Sequence, residues 1–441
     1  MKSSWRLKFV VLVALCVGVA LMHIKTVTFV PFTTQNSAIY DYITQDVVTL
    51  EEYYPILKQS IPTLDIVASL NELSKNQIIV LPWDSNPPNL QYIPIKGVPF
   101  YESNKGTIQV KWFRKSSEIL SIFKPSKYDV FLSQHVRLTA GGTVVLARGV
   151  HKVIERNQDS GFPWKDTQHL FQKSDLNVVN FKSPLIDKYS YPKSSWKLIG
   201  KSKYVEGLIN TNIHLVSVAG NHMGDAKSAG LLETLNTLEE NKIDYVGAGR
   251  TMKEAYKCVL AKKKNISFGF LAFNNVPGSI GKATKKKPGI AWLDNQALQS
   301  IKLCAPKVDH LVVMVNWGTE YTHIPRKKEQ RWAQKMIAAG ADLILGDQAH
   351  WVQNHQKILS KHVSYGLGNY IFDQHWSEKT TEGIIQKFIF FNDKMLAIDT
   401  IPIKLARNGS VKEIKKGSER YYEVLRAYYN QPINENQQQN N

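Results

Sequence analysis

The residues best suited to chemistry sit in a short turn, Ala219–Asp225, reading A-G-N-H-M-G-D. An asparagine carbonyl oxygen can ligate a metal ion, and a histidine beside it can give a proton to a developing oxyanion. The turn follows the apolar run Ile213–Val218 and precedes a helix-like stretch, Ala226–Asn241. A turn of this composition is also an ordinary helix entry, so the pair needs support elsewhere. Four further loops supply it, each next to a short apolar strand: Gly142-Thr143, Asn180-Phe181-Lys182, Asn316-Trp317-Gly318 and Gly346–His350. In α/β sandwiches strand ends converge on one edge, and binding sites live there.

The elements that must position these loops form a strand–loop–helix rhythm from about Val136. Strands are expected at Val144–Leu146, Asn177–Asn180, Leu215–Val218, Tyr245–Gly249, Ile266–Phe273, Leu311–Val315 and Leu343–Leu345. Val363–Tyr365, Tyr370–Phe372, Lys387–Phe391 and Met395–Pro402 continue the series with hairpin character. Helices are expected at Val150–Glu155, Asp166–Gln172 and Leu231–Leu238, the last with Leu231, Leu232, Leu235 and Leu238 on one face. Lys327–Ala339 reads as a helix with Pro325 in its first turn and Gly340 as its cap. Arg407–Leu425 is polar with a terminal helix, and Pro432–Asn441 reads as a frayed tail.

A chain of 441 residues supports two or three domains and a large core. Apolar residues at 43% and charged residues at 21% exclude a disordered chain. The net charge of +19 favours polyanionic surroundings. The clusters Lys262–Lys264 and Lys285–Lys287 are too short and too poor in aromatics for a nucleic-acid module, so no nucleic-acid partner is expected. Of the cysteines Cys16, Cys258 and Cys304, the last two can form one disulfide, and no metal-binding cysteine spacing exists.

Lys2, Arg6 and Lys8 precede the apolar run Phe9–Met22. With no clear small-residue cleavage site after it, residues 1–24 read as an uncleaved signal-anchor, the rest of the chain being exported; a cleaved signal is the alternative. Residues 25–130 read as a small α+β module of unknown role. Residues 131–410 form the main domain and 411–441 a polar helix and tail.

The order and wording of the loops identify a resemblance. Gly142–Val150, V-N-F-K-S-P-L-I-D (Val179–Asp187), A-G-N-H-M-G-D, Y-V-G-A-G, V-N-W-G-T-E-Y (Val315–Tyr321), the run Ala338–Gln353 and Y-G-L-G-N-Y-I-F-D (Tyr365–Asp373) resemble the CapA family. These are capsule and poly-γ-glutamate synthesis proteins with a calcineurin-like metallophosphatase fold. The likeness runs from about Leu138 to Lys404. It implies an α/β protein with a four-layer α/β/β/α sandwich and the site at the strand ends. It also implies membrane association, capsule-synthesis partners, and a role in making, anchoring or exporting an acidic extracellular polymer.

The chain departs from the family where the metal ligands belong. The family's Gly-Asp is Gly142-Thr143, its Asn-Leu-Glu is Asn180-Phe181-Lys182, its His-Trp-Gly is Asn316-Trp317-Gly318, and its His-Pro-His is Gln348-Ala349-His350. Only Asn221, His222 and His350 keep the family's chemistry. A two-metal site uses carboxylates and neutral imidazoles; here two negative charges are lost and one positive charge is gained. No dinuclear centre is expected. Three alternatives remain. In the first, Lys182 takes the place of a metal and, helped by Asn221, Asn316, Gln348 and His350, binds an anion, with Arg148 either binding it too or only buttressing its loop. In the second, Lys182 points to solvent. In the third, His350, Asp347 and Asn221, with Asp225 or His222, hold a single Mn, Zn or Fe ion, and His222 acts as general acid in a hydrolase for phosphoester or γ-glutamyl bonds. Asp225 reads as a surface helix-start residue. Trp317 and Trp351 read as packing beneath the pocket, and His375-Trp376 as its rim.

Overall fold

The computed structural model describes residues 134–188, 196–416 and 418–429, and a parallel strand pair, Asp65–Ile66 with Gln77–Ile78. The chain divides into two compact units, 1–134 and 135–441. The expected signal-anchor, and all of the expected small module but that strand pair, lie outside the described residues. Among the described residues no helix is long and apolar enough to cross a membrane.

The second unit carries every candidate residue. Its first sheet runs in the order β14-β13-β12-β1-β2-β3-β4. Here β1 is Val136–Val144, β2 Leu176–Phe181, β3 Leu215–Ser217 and β4 Asp244–Val246. These four are parallel to one another. The antiparallel strands β12 (Glu382–Phe391), β13 (Lys394–Leu405) and β14 (Val411–Glu413) complete the sheet, and the short β11 (Asn369–Ile371) pairs with β1. The second sheet has the order β9-β10-β8-β7-β6-β5. Its members are β5 (Val259–Lys263), β6 (Ile266–Asn274), β7 (His310–Asn316), β8 (Leu343–Asp347), β9 (Val352–Ile358) and β10 (Lys361–Leu367).

Strands such as L-N-V-V-N-F and H-L-V-V-M-V-N are buried along their whole length. Continuous apolar runs of this kind suit central parallel strands covered on both faces. The two sheets face each other: Phe268 of β6 and Phe390 of β12 meet edge-on with ring centroids 5.0 Å apart. Helices α1 (Arg148–Asn157) and α2 (Lys227–Glu240) cover the outer face of the first sheet, burying Val150, Ile154, Leu231 and Leu235 against Val179 and Val216. Helices α3 (Asn295–Cys304) and α4 (Lys327–Ala338) do the same for the second, with Ile301, Ala333 and Met336 on Val313 and Ile344. The result is the expected four-layer α/β/β/α sandwich.

Some local expectations are corrected. Pro325 precedes the α4 N-cap, Arg326, instead of occupying the first turn; Glu329 closes the cap by accepting the Arg326 amide at 2.9 Å. Only His169–Gln172 of the expected Asp166–Gln172 helix is helical. Residues from 411 onward are not simply a polar helix and tail. Strand β14 pairs with β13, and helix α5 (Glu419–Tyr429) buries Tyr421, Val424, Leu425, Tyr428 and Tyr429. Its tyrosines supply the apolar stripe that the charged residues around them hide. Cys258 and Cys304 form a disulfide, Cα atoms 6.0 Å apart, tying the start of β5 to the end of α3.

Candidate functional site

The carboxyl ends of β1, β2 and β3 in one sheet meet those of β7 and β8 in the other. All five loops named from the sequence are drawn into this meeting. Asn316 and Asp347, the last residues of β7 and β8, are register partners. Close approach demands glycine here: a Cβ on Gly346 would lie 2.0 Å from the Tyr365 carbonyl oxygen.

Lys182, just beyond β2, is 1% exposed. Its Nζ lies 3.0 Å from Asp347 Oδ2 and donates to Gln348 Oε1 at 2.9 Å. The Thr143 hydroxyl donates to Asp347 Oδ1. One oxygen of the carboxylate therefore accepts from a hydroxyl, and the other meets the ammonium as an ion pair without a hydrogen bond. The other end of Gln348 donates to Glu320 Oε1 at 3.0 Å. Burial pulls the Lys182 pKa below its ordinary value, opposed by the charge of Asp347. Lys182 does not point to solvent; it fills the floor of the site.

His350 is buried, with Nδ1 2.9 Å from Asn369 Oδ1. The Asn369 amide nitrogen donates to Gln374 Oε1 and to the Thr380 carbonyl. Its oxygen must then be the atom that faces His350, so Nδ1 carries the imidazole proton and Nε2 keeps a lone pair. That Nε2 lies 3.8 Å from Glu320 Oε1. Burial, and then the Lys182 charge, push the imidazole down to a pKa of about 3. Gln348 and His350 sit at φ of 95° and 58°, left-handed backbone that side-chain-bearing residues adopt only under constraint.

On the third side, Asn316 Nδ2 donates to Asn274 Oδ1 at 2.7 Å and to Asn221 Oδ1 at 3.3 Å. Asn316 Oδ1 and Asn180 Nδ2 are buried with no hydrogen-bond partner among the described residues. His222 Nδ1 lies 2.8 Å from Asp225 Oδ2, with about a third of its side chain exposed. Asp225 is a correction: it is buried, not a surface residue, and also accepts from the Leu198 amide and the Ser279 hydroxyl, each at 2.7 Å. Burial raises its pKa, but the His222 bond and charge and these donors outweigh burial and hold it below the ordinary value. A carboxylate depressed in this way stabilises the fold above its unfolded pKa, and that stability is lost as pH falls through the lower folded value. Asp225→Asn is therefore expected to flatten the fall in urea midpoint below about pH 4. Parallel curves for wild type and variant would refute the buried, hydrogen-bonded carboxylate.

Arg148 is a buttress. Its Nη2 lies 2.5 Å and its Nε 3.1 Å from Asp373 Oδ1, and its guanidinium stands 5.0 Å from the Phe372 ring centroid. Trp317 is fully buried, stacked on Tyr365 and donating to the Tyr365 carbonyl at 3.0 Å. Trp351 stands 4.9 Å from the His323 ring. Trp376 is exposed and meets Tyr321 edge-on, and Tyr321 lies 6.1 Å from His350, so Trp376 does stand at the rim.

Glu320, Asn369, Asn274 and Ser279 belong to the site without having been assigned from the sequence. Glu320 and Asn369 lie inside the quoted loop motifs, and Asn274 ends β6 by the same strand-end rule that found Asn316. Ser279 has no signal of its own.

Residues 137–374, more than half of the chain, match the family model described as "Bacterial capsule synthesis protein PGA_cap". Similar relatives include a capsule biosynthesis protein CapA of Bacillus anthracis, 28% identical over 293 residues, 64% of this chain and 70% of that one. A PGA biosynthesis protein CapA of Bacillus subtilis (strain 168) is 29% identical over 250 residues, 56% of this chain and 65% of that one. Similar solved structures include an NAD nucleotidase of Haemophilus influenzae at 13% identity and TM-score 0.39, covering 66% of this chain and 55% of that one. A 5'-nucleotidase precursor of Thermus thermophilus is 12% identical at TM-score 0.38, covering 68% and 59%.

Proposed function

The chain belongs to the PGA_cap family of bacterial capsule synthesis proteins, and from that premise we propose that it is a membrane-anchored protein of the outer side of the membrane, serving the synthesis or anchoring of an acidic poly-γ-glutamate-type polymer through a site that binds anionic, amide-bearing groups without a dinuclear metal centre. The Lys182–Asp347 ion pair carries this reading. Two divalent ions need carboxylate oxygens and imidazole lone pairs. Here Thr143 and Lys182 hold the Asp347 oxygens, Gln348 is tied at both ends, and Asn316 is an amide. A fixed ammonium within a few ångströms also repels a divalent cation. The residues present do not fit two metals.

What remains is suited to a different guest. His350 fixes its proton on Nδ1 through Asn369 and leaves Nε2 as an acceptor, while His222 turns its Nδ1 proton to Asp225. Asn180 Nδ2 is a buried donor and Asn316 Oδ1 a buried acceptor, both without partners among the described residues. A γ-glutamyl unit offers the matching amide N–H and carbonyl; the nearby cations Lys182 and Arg148 are already paired with Asp347 and Asp373. The net charge of +19 supports a polyanionic ligand. The Cys258–Cys304 disulfide supports an oxidising compartment outside the cytoplasm.

A second reading, a metal-dependent hydrolase with His222 as general acid, is favoured by the oriented His222–Asp225 pair. Metal analysis after separate loading with Mn, Zn and Fe separates the two. The anion-binding reading expects less than about 0.1 equivalent of each. One equivalent or more, lost in His350→Ala, overturns it. Poly-γ-glutamate binding is expected to weaken at least about tenfold from low to physiological salt. No binding at either salt rejects the polymer.

A further inference from the structure

A cavity of about 330 Å³ opens between helix α5 and the start of β9. Its volume falls at the lower end of the range of about 300–1,000 Å³ typical of small-ligand pockets. The wall contributed by α5 is rigidly placed. The Tyr428 hydroxyl is buried among Ser364 Oγ at 2.6 Å, Gln386 Nε2 at 2.8 Å and His362 Nε2 at 2.8 Å. That network locks the register of α5, so Arg420, Val424 and Ala427, at helical spacing, line the cavity.

The charges in the wall are unequally committed. Arg420 is bound to Glu382, Nη2 to Oε2 at 2.5 Å, and also to Glu423. Lys379 has no ion pair among the described residues; its ammonium rests 4.7 Å from the Trp351 ring centroid. Arg426 pairs with Glu419, whose side chain is 72% exposed. A pair so open to water contributes little and yields readily to another anion. His323 gives its Nδ1 proton to the Val352 carbonyl at 2.7 Å, which leaves Nε2 as an acceptor. The cavity thus presents one cation unpaired among the described residues, Lys379, one cation in an exchangeable surface pair, Arg426, and an acceptor, beside the carboxylates Glu382 and Glu423 that Arg420 holds. A fully ionised phosphate has no proton to give that acceptor, whereas an acidic amide chain has both a carboxylate and an N–H. A run of ring contacts links the cavity to the strand-end site: Lys379 touches Trp351, Trp351 lies 6.3 Å from Tyr321, and Tyr321 lies 6.1 Å from His350.

We propose that this cavity is a second binding site, which takes a carboxylate- and amide-bearing segment of one or two amino-acid units, held by Lys379 and Arg426 with His323 accepting an amide N–H. The identity of the chain, an acidic polymer that also reaches the strand-end site, rests on the function proposed above. The cavity's preference for a small carboxylate does not.

The test uses the full chain in detergent, titrated with a short γ-linked glutamate oligomer, with inorganic triphosphate and with glutarate. Calorimetry and Trp351 fluorescence, isolated against Trp351→Phe, are the readouts. Lys379→Ala/Arg426→Ala changes side chains that are at least partly exposed, so the fold is retained. It is expected to weaken the oligomer at least about tenfold and to abolish glutarate quenching, with triphosphate binding more weakly than the oligomer. His222→Ala is expected to leave glutarate quenching intact. Wild-type oligomer affinity in the double variant overturns the cavity and leaves the polymer reading standing. Failure of wild type to bind oligomer, with glutarate quenching present and lost in the double variant, rejects the polymer and keeps the cavity. No glutarate quenching in wild type, or tighter binding of triphosphate than of oligomer, overturns the cavity's proposed chemistry.

Discussion

Lys182→Met is expected to lower the unfolding free energy by about 3–5 kcal/mol, the usual cost of removing one partner from a buried ion pair. The reason lies in what stays behind. Asp347 is 1% exposed, and the Thr143 hydroxyl is its remaining donor among those described at the site. Its charge then has neither water nor a cation, and the orphaned carboxylate sets the size of the loss. Gln348 Oε1 loses its donor in the same substitution. Removing both charges is a different matter. Lys182→Met/Asp347→Leu exchanges the pair for apolar volume, and such exchanges are often neutral or stabilising. The double variant should therefore recover most of the loss, giving a coupling of several kcal/mol in a double-mutant cycle. Urea unfolding followed by circular dichroism measures all four proteins. A loss below about 1 kcal/mol in the single variant would falsify the buried pair, because only a lysine reaching water is removed so cheaply.

That pair marks the limit of what a linear reading could reach. Apolar runs announced the central strands, and strand-end polar residues announced the loops, because both signals are local. Lys182 and Gln348 stand 166 residues apart and meet only because β2 and β8, in different sheets, end at the same edge. No spacing in the chain encodes that meeting, so a lysine filling the site and a lysine facing water stayed equal alternatives. Asp225 failed for a related reason. Three residues after His222 at a helix start it looks like surface, but Leu198 and Ser279 arrive from distant loops to bury it. The missed strand β9, V-Q-N-H-Q-K-I, alternates polar with polar, so period-two patterning had nothing to grip. Helix α5 hid its buried face in tyrosines, which composition alone places on either side of a surface.

The second large effect concerns His350 and acid. Burial and the nearby Lys182 charge hold its imidazole at a pKa of about 3 in the fold, against 6.5 for an ordinary histidine. A depressed base favours the fold only while it is unprotonated. Above pH 6.5 the ring is neutral in both folded and unfolded chains, and its full contribution is present. As pH falls from 6.5 towards 3 the unfolded chain takes up a proton that the folded chain refuses, so stability declines throughout that window and levels off below it. Over the whole window this is worth up to about 4–5 kcal/mol. Between pH 6.5 and about 4, wild type is expected to lose about 3 kcal/mol more than His350→Gln, which cannot titrate. Unfolding free energies measured across that range decide it, and nitrogen chemical shifts of the ring report the Nδ1–H tautomer directly. Superimposable pH profiles would mean that the ring titrates in water and that the Gln348–His350 turn is open. The expected profile carries a functional consequence. A histidine that stays neutral in mild acid keeps its Nε2 lone pair facing the site under conditions where a surface histidine would become a cation, so the amide-accepting character of His350 persists there.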